Sequence, residues 1–301
     1  MTREEFFYPG SDGVHRIHAI LWKPEGEIRG VVQFIHGICE YAGRCDPFAQ
    51  YLADHGFVVV CNDHLGHGQS VTGPEEYGYF EDWWNLVYDV RALRLKMDEM
   101  YAGLPYFMLG HSMGSFVART YLFTYPGTVT GCMLSGTGYL NPAEAALAKW
   151  IAGWGDPHEV NKAFYRVSIG AYNKTFAPNR TAADWISSDE ATVDKYLADP
   201  LCHFPTKGAM NKAMMTGLQL ICRRKPLRQM DPDTPIYFFS GDRDPVGKMG
   251  KGVRKVAKMF QQAGCRDVTL KLYPGGRHEM LGEVNQAQVW ADTLGWLEKY
   301  L

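Results

Sequence analysis

The stretch Tyr106-Phe-Met-Leu-Gly110-His111-Ser112-Met113-Gly114-Ser115 decides how the rest of the chain is interpreted. A short apolar run leads into a Gly-x-Ser-x-Gly sequence, and apolar residues at helical spacing follow it. The pattern predicts a strand, a sharp turn and a helix, with the serine held in a strained backbone at the tip. The two glycines lack Cβ atoms, so the strand and the helix can approach each other closely there.

Such a five-residue motif also arises by chance, so its meaning depends on the composition and order of the whole chain. The 301 residues suit one large domain, or one domain with an insertion. With 46% hydrophobic and 21% charged residues the chain has an ordinary globular balance. The formal net charge of -2, without a long basic block, argues against nucleic acid as a partner.

The cysteine pattern and the N-terminal sequence suggest where the protein works. Seven scattered cysteines without a Cys-x-x-Cys pair predict free thiols in a reducing compartment. The first residues lack an apolar signal region, and no apolar run reaches membrane-spanning length. We therefore expect a cytoplasmic protein without a transmembrane segment.

Strand and helix patterns alternate along most of the chain, which predicts an α/β fold with a mostly parallel, doubly wound sheet and helices on both faces. The alternation stops at about residue 138 and resumes at about residue 231. The intervening segment is helical in pattern and rich in Ala, Met and aromatic residues. We therefore predict a core formed by residues 1–137 and 231–301, with residues 138–230 inserted as a helical lid.

The predicted lid carries an apolar stripe formed by Leu147, Trp150, Ile151 and Trp154. The sequence leaves open whether this stripe lines a substrate tunnel, packs on the core or touches a membrane surface. At the C-terminus, a closing helix is predicted to be apolar on the face of Ala287, Trp290, Leu294, Leu297 and Leu301.

Polar residues follow several predicted strands, and strand ends of a parallel sheet meet on one rim. Ser112 follows one strand, and a serine nucleophile needs a base that is oriented by an acid. Asp244 and His278 follow the last two strands, in the order Ser, Asp, His. Asp242 competes with Asp244 as the acid, and we prefer Asp244 because it lies further beyond the strand. The main-chain N–H groups of Met113 and Ile38 are the candidates for an oxyanion hole.

Histidines and acids elsewhere in the chain could suggest a metal site. Asp63, His64 and His67 follow a strand, but their spacing fits neither a helical histidine pair nor a zinc finger. His15 and His18 lie three apart on a predicted strand and so face opposite sides. We expect a hydrogen-bonded loop at 63–70 that braces the site, and no metal or cofactor.

Taken together, these segments resemble the monoacylglycerol lipase and lysophospholipase-like branch of the α/β-hydrolases, which is also grouped with the serine aminopeptidases. The resemblance extends from about residue 30 to the C-terminus and is weakest in the lid. It rests on five segments: 36–44 (HGICEYAGR), 62–70 (NDHLGHGQS), 110–114 (GHSMG), 241–245 (GDRDP) and 276–279 (GRHE).

The resemblance implies the α/β-hydrolase fold, with Ser112, Asp244 and His278 as the triad and Ile38 and Met113 as oxyanion donors. It also implies that four residues near the site brace it: His36, Glu40, Arg44 and His111. Cys39 and Tyr41 replace the Gly and His that are usual in the family. Leu281 stands where the monoacylglycerol lipases have a second histidine, so a polar corner that binds glycerol is expected to be missing.

The leading hypothesis is a serine hydrolase that cleaves carboxylic esters, with acylglycerols or lysophospholipid-like lipids as the expected substrates. One alternative is an aminopeptidase of the proline-iminopeptidase type, which needs an acidic lid residue to hold a substrate ammonium group. Another is a ligand receptor without catalysis on the same scaffold. The acidic residues available in the lid are Glu144, Glu159, Asp184, Asp189 and Glu190.

Overall fold

One eight-stranded sheet forms the centre of the molecule, and the computed structural model describes residues 1–301. The strand order is β1-β2-β4-β3-β5-β6-β7-β8. The first two strands pair antiparallel, β2 pairs antiparallel with β4, and all other pairs are parallel. The strands are β1 Thr2–Pro9, β2 Arg16–Lys23, β3 Gly30–Ile35, β4 Phe57–Asn62, β5 Tyr106–His111, β6 Gly131–Ser135, β7 Ile236–Gly241 and β8 Val268–Tyr273.

Helices cover both faces of this sheet, as predicted. Residues of α2, α3 and α10 pack in the larger apolar core on one face. Residues of α1 and α11 pack in a second apolar core on the other face. Because both faces are covered, strands β3, β4, β5 and β7 are buried along their whole length. These helices are α1 Asp46–Asp54, α2 Trp83–Met100, α3 Met113–Thr124, α10 Lys251–Ala263 and α11 Gln286–Glu298.

The segment between β6 and β7 contains six helices and no strand, which agrees with the predicted helical insertion. The division at residues 138 and 230 itself stays a prediction. Here we call this segment the cap. Its helices are α4 Pro142–Ala152, α5 Lys162–Val167, α6 Ile169–Tyr172, α7 Glu190–Ala198, α8 Gly208–Ile221 and α9 Arg224–Leu227.

The apolar stripe of the cap faces outward. Leu147, Trp150 and Trp154 are exposed, Trp150 by 62%, and Ile151 is half-buried. Of the three possibilities left open by the sequence, packing on the core and lining a tunnel are therefore wrong for these three exposed side chains. Other residues of the cap, among them Ala152, Phe164 and the buried face of α8, pack in the apolar core instead.

The closing helix, α11, buries only part of the face predicted for it: Leu294 and Leu297 are buried and Trp290 is half-buried. Ala287 and Leu301 are exposed, whereas Val289, Thr293 and Trp296 are buried beside Leu297. The predicted face was therefore wrong at its two ends. Trp296 stacks on Tyr237 of β7, with ring centroids 5.8 Å apart, and this contact fixes the rotation of the helix.

Candidate active site

The turn around Ser112 has the strained geometry that its sequence predicts. Ser112 lies between β5 and α3 with φ 51° and ψ -119°, in a region that side-chain-bearing residues rarely adopt. A Cβ on Gly110 would lie 2.5 Å from the carbonyl oxygen of Gly114. A Cβ on Gly114 would lie 1.9 Å from the carbonyl oxygen of Ile35. Only glycine therefore allows the strand and the helix to approach closely enough to form this turn.

His278 and Asp244 are brought together by the loops that follow β8 and β7. The imidazole Nδ1 of His278 lies 3.0 Å from Oδ1 of Asp244, and both residues are buried. The Asp244 carboxylate also accepts hydrogen bonds from the Val246 N–H at 2.9 Å and the Ser240 hydroxyl at 3.1 Å. These contacts hold the carboxylate against Nδ1, which leaves Nε2 of His278 directed away from the acid.

Asp242, the competing candidate, has a different role in the structure. Its carboxylate accepts a hydrogen bond from the Gly275 N–H at 2.8 Å and makes none to His278. Asp242 therefore braces the loop that carries His278, and the geometry favours Asp244 as its partner.

The surroundings of His278 act on its pKa in opposite directions. Burial lowers the pKa, but the charge and hydrogen bond of Asp244 raise it, and Glu279 and Glu40 add to this effect. The net result is a pKa of His278 above its ordinary value. The imidazolium form is thus stabilised, as required of a base that holds a proton during acyl transfer.

The loop after β3 runs beside Ser112. A Cβ on Gly37 would lie 3.0 Å from the Cβ of Ser112, so the loop backbone passes close to the serine side chain and leaves no space for a side chain at Gly37. The Ile38 N–H donates to no other group of the protein. Met113 is the first residue of α3, so its N–H has no partner within the helix. Two N–H groups without a protein partner are therefore available near Ser112, since Met113 is its chain neighbour and Ile38 lines the same two cavities.

A second loop supports this main chain. Cys39 has a positive φ of 56°, a conformation that favours glycine, and its N–H donates to Nε2 of His67 at 3.2 Å. Asp63 accepts hydrogen bonds from the Ala42 N–H at 2.7 Å and from His18 at 2.8 Å. The structure thus agrees with the predicted hydrogen-bonded loop at 63–70.

Glu40 and Arg44 form an ion pair beside the site, and Glu279 completes it. Arg44 donates to Glu40 at 2.7 Å and to both oxygens of Glu279 at 2.8 Å. Glu40 also accepts from the Gly37 N–H, which ties the ion pair to the loop beside Ser112. Burial raises the pKa of Glu40, but Arg44, His111 and this N–H bring it below the ordinary value.

The two histidines expected to brace the site are buried and neutral. His36 accepts a hydrogen bond from the His64 N–H at its Nε2, at 3.0 Å, which assigns the ring proton to Nδ1. His111 lies with its ring centroid 4.9 Å from that of His278. Burial, together with the charge of His278 and Arg44, lowers the pKa of His111 to about 4, although Glu40 and Asp244 oppose this.

Two cavities meet at Ser112. One, of about 300 Å³, lies under the cap and is mainly apolar. The other, of about 190 Å³, is lined by the charged residues Arg44, Glu40 and Glu279 and by His278, together with apolar and aromatic side chains such as Ile169, Trp185 and Phe204. We call it the polar cavity because of its charged residues. The apolar cavity is lined by residues of α3, α5, α8 and the loops beside them, among them Phe116, Leu140, Phe164, Met214, Met215 and Leu218.

Two residues of this site were missed in the sequence. Glu279 follows His278 directly, but nothing in its neighbourhood marks it as a partner of Arg44, which lies 235 residues earlier. Trp185 of the cap lies with its ring 5.0 Å from that of His278 and borders both cavities. No periodicity or motif distinguishes Trp185, since it lies in an irregular segment between helices.

The parallel sheet, the strained serine turn and the positions of the loops define an α/β-hydrolase. A family profile described as serine aminopeptidase, S33, matches residues 26–285. A monoacylglycerol lipase of Mycolicibacterium smegmatis is 30% identical over 100% of this chain and 99% of its own length. The chain therefore belongs to the S33 serine aminopeptidase family of α/β-hydrolases, in its monoacylglycerol lipase-like part.

Two further relatives agree with this assignment. The human monoglyceride lipase is 28% identical, over 87% of this chain and 80% of its own length. The crystal structure of a thermostable carboxyl esterase from Bacillus coagulans in complex with glycerol superposes with a TM-score of 0.91. It is 29% identical and covers 100% of this chain and 99% of its own. The protein is a serine hydrolase that acts on carboxylic esters, so the non-catalytic receptor is not retained as an alternative.

Proposed function

We propose that the enzyme hydrolyses esters of fatty acids with small neutral alcohols, such as monoacylglycerols, through Ser112, His278 and Asp244. The observation that carries this proposal is that Ser112 lies where an apolar cavity and a small polar cavity meet. An ester whose carbonyl carbon reaches Ser112 can place its acyl chain in the first cavity and its alcohol in the second.

In the proposed mechanism, Nε2 of His278 accepts the proton of the Ser112 hydroxyl as Oγ attacks the carbonyl carbon. The N–H groups of Ile38 and Met113 donate to the oxyanion that forms. His278 then protonates the departing alcohol, and a water molecule, activated by the same imidazole, releases the fatty acid. Asp244 keeps Nδ1 protonated and stabilises the imidazolium in both steps.

The polar cavity favours a neutral alcohol over a phosphate-bearing one. Arg44 is the cation in its wall, and both Glu40 and Glu279 already neutralise it. An anionic head group would meet two carboxylates for one guanidinium, which is unfavourable in a buried cavity. Hydroxyl groups of a glycerol-like alcohol can instead donate to the carboxylates. The similarity of the chain to a monoacylglycerol lipase and to a carboxyl esterase supports the same choice.

Leu281, which stands where the resembled lipases have a histidine, does not line the polar cavity. It lines a separate cavity of about 390 Å³ that shares Arg44 and Glu279 with the polar cavity. We propose that Glu279 offers the alcohol a polar group in place of that histidine, and the expectation that the glycerol-binding corner is missing stays a prediction.

An aminopeptidase activity would need a free carboxylate to hold the substrate ammonium group. Among the cap residues considered, Glu144 pairs with Lys248 at 2.7 Å. The carboxylate of Asp184 accepts from the N–H groups of Arg180 and Thr181, and Asp189 caps α7. Glu159 and Glu190 are exposed and line neither cavity at Ser112. None of these cap carboxylates is therefore free at Ser112 to hold a substrate ammonium group, and the two carboxylates that line the smaller cavity, Glu40 and Glu279, are both paired with Arg44.

The exposed stripe of the cap suggests how a lipid substrate is reached. Trp150 and Trp154 contact each other with ring centroids 4.6 Å apart, and Leu147 and Val167 are exposed nearby in sequence. Aromatic side chains of this kind partition into the interface of a bilayer. No helix of the chain is both long and apolar enough to cross a membrane. We propose transient contact of the cap with a membrane surface.

A comparison of four substrates tests this function. We expect the purified enzyme to hydrolyse a monoacylglycerol and a p-nitrophenyl ester of the same acyl chain. Lysophosphatidic acid with that chain is expected to react at least tenfold more slowly by kcat/KM, and a prolyl anilide not at all. Preference for the prolyl anilide would refute the esterase, and preference for lysophosphatidic acid would refute the neutral-alcohol assignment.

A further inference from the structure

The loop that carries His278 leaves the sheet at its edge. Strand β8 is the last strand of the sheet, so the loop after it has a neighbouring strand end on one side only. On that side Gly275 donates to Asp242 at 2.8 Å, and Arg243 donates to the Gly276 carbonyl at 3.0 Å. The other side of the loop faces residues 184–188 of the cap, which we call the cap strip.

The loop is hydrogen-bonded to the cap strip at several points. Arg277 donates to the carbonyl oxygens of Asp184 and Ser187, the latter at 3.1 Å. The Glu279 N–H donates to the Ile186 carbonyl at 2.8 Å. The residues directly before and after His278 are therefore both attached to the cap.

Glu283 lies at the centre of this attachment and is completely buried. Its Oε1 accepts from the Arg277 N–H at 2.8 Å and from the Ser188 N–H at 2.9 Å. Its Oε2 accepts from the Ser188 hydroxyl and from the Val284 N–H at 3.2 Å. All four hydrogen-bond donors to this carboxylate are neutral groups, and the nearby Arg277 guanidinium, whose pKa the charge of Glu283 raises against the effect of burial, donates instead to carbonyl oxygens of the cap strip. Neutral donors from the loop and the cap strip thus surround a buried carboxylate, an arrangement that is costly unless every contact is kept.

The same attachment places Trp185 against the base. Trp185 lies in the middle of the cap strip, and its ring centroid is 5.0 Å from that of His278. A shift of the strip relative to the loop would move the indole away from the imidazole and open the cavities that Trp185 borders. Glu283 itself lines neither cavity at Ser112, so it can affect the reaction only through these neighbours.

We infer that Glu283 is a positioning residue that fixes the loop of His278 to the cap strip. It thereby keeps the distance and orientation between the His278 imidazole and the Trp185 indole constant. The inference rests on the proposed role of His278 as the base. Because the Glu283 carboxylate bridges the loop of His278 and the cap strip, a movement of the cap strip also moves the His278 imidazole. A displacement of the imidazole by about 1 Å can reduce turnover by about 10²-fold.

The test compares Glu283→Ala with Glu283→Gln in hydrolysis of a short p-nitrophenyl ester. Active sites are first titrated with a fluorophosphonate, so that kcat is expressed per reactive serine. We expect Glu283→Ala to lower this kcat by 10- to 100-fold with KM changed less than twofold, since Glu283 contacts no substrate cavity. Glu283→Gln, which keeps one acceptor oxygen for the Arg277 and Ser188 N–H groups, is expected to recover part of the loss.

A merely structural role gives a different result, because it lowers the melting temperature and the titratable fraction but leaves kcat per titrated site within twofold. That outcome would overturn the inference. If Glu283→Ala does not fold, the double variant Glu283→Gln/Ser188→Ala is compared with Glu283→Gln. The added substitution removes the Ser188 hydroxyl, which is the remaining side-chain contact of residue 283. The inference then predicts a lower kcat per site than in Glu283→Gln alone, and an equal kcat refutes it.

Glu298→Gln is the matched control, since Glu298 is a surface residue that pairs with Arg29 at 2.9 Å, and it should behave as the wild type. Full turnover by Ser112→Ala would refute the proposed mechanism itself. Loss of turnover in Ser112→Ala with an unchanged Glu283→Ala would refute only the positioning role.

Discussion

Arg44 contacts both carboxylate oxygens of Glu279 at 2.8 Å, although 234 residues separate them in the chain. The pair closes one side of the polar cavity at Ser112, and Glu40 holds Arg44 from the other side. The cavity thereby contains a guanidinium whose charge is more than neutralised. This relationship is the basis for expecting a neutral leaving alcohol.

Removing one of the two carboxylates should therefore change the choice of head group. In Glu279→Gln, Arg44 keeps only Glu40 as a charged partner, so the polar cavity repels an anionic head group less strongly. We expect the ratio of kcat/KM for lysophosphatidic acid to that for a monoacylglycerol to rise at least fivefold. The measurement is a competition between the two lipids with the same acyl chain. An unchanged ratio would show that the Arg44 ion pair does not select the head group.

The pH dependence of turnover should report the interaction of His278 with Asp244. His278 must be neutral to accept the serine proton, so kcat/KM falls as the pH drops below the pKa of His278. Because Asp244 raises that pKa, the fall should begin above the ordinary histidine value of about 6.5. The measurement is a pH profile of kcat/KM for a short ester, and a fall centred below that value would contradict the geometry.

Asp244→Asn removes the charge that raises the pKa of His278, while burial, which lowers it, remains. The fall in kcat/KM should then move to lower pH, and the maximal kcat should decrease by about 10³- to 10⁴-fold. Asp242→Asn is the matched control, because an amide oxygen can still accept from the Gly275 N–H. A larger loss in Asp242→Asn than in Asp244→Asn would reverse the assignment of the acid.

The strained serine turn should depend on the absence of a side chain at Gly114. A methyl group there would collide with the Ile35 carbonyl at 1.9 Å, and neither backbone can move without displacing the sheet. We expect Gly114→Ala to lower the free energy of unfolding by about 3 kcal/mol or more. Gly295→Ala in α11 meets no atom within 4 Å and should stabilise the protein by about 0.5–1 kcal/mol. Urea unfolding of both variants measures the contrast.

The exposed cap residues should matter only for substrates in a membrane. Replacing both Trp150 and Trp154 by serine removes the apolar surface without touching either cavity at Ser112. We expect hydrolysis of a monoacylglycerol in phospholipid vesicles to fall at least fivefold, with turnover of a soluble short ester changed less than twofold. Equal losses on both substrates would mean that the tryptophans support the fold of the cap and not its contact with lipid.

The sequence was sufficient where a local pattern determines the geometry. The turn at Ser112 follows from two glycines beside a buried strand, and the loops with Asp244 and His278 follow from the positions of strand ends. It was insufficient where geometry depends on distant partners. Trp150 is apolar and periodic with its neighbours, yet it is exposed, because α4 packs on α8 and buries Ala145 and Ala152 instead.

Contacts within the site also differ in whether residues near in sequence or distant in sequence form them. Glu40 and Arg44 lie four residues apart, and the family resemblance placed both near the site, whereas Glu279 reaches Arg44 only after the sheet has formed. Trp185 likewise meets His278 only because the cap folds back over the sheet edge. Such contacts leave no signal in a single sequence.

The central claim is that Ser112 is the nucleophile of an ester hydrolase. It is tested most directly by treating the wild type and Ser112→Ala with a fluorophosphonate and a p-nitrophenyl ester, and measuring intact mass and turnover together. The wild type should gain one adduct, located on Ser112 by peptide mapping. The variant should gain none and should lose turnover by at least about 10⁴-fold. An adduct on another residue, or a variant that keeps a tenth or more of its turnover, would contradict the account.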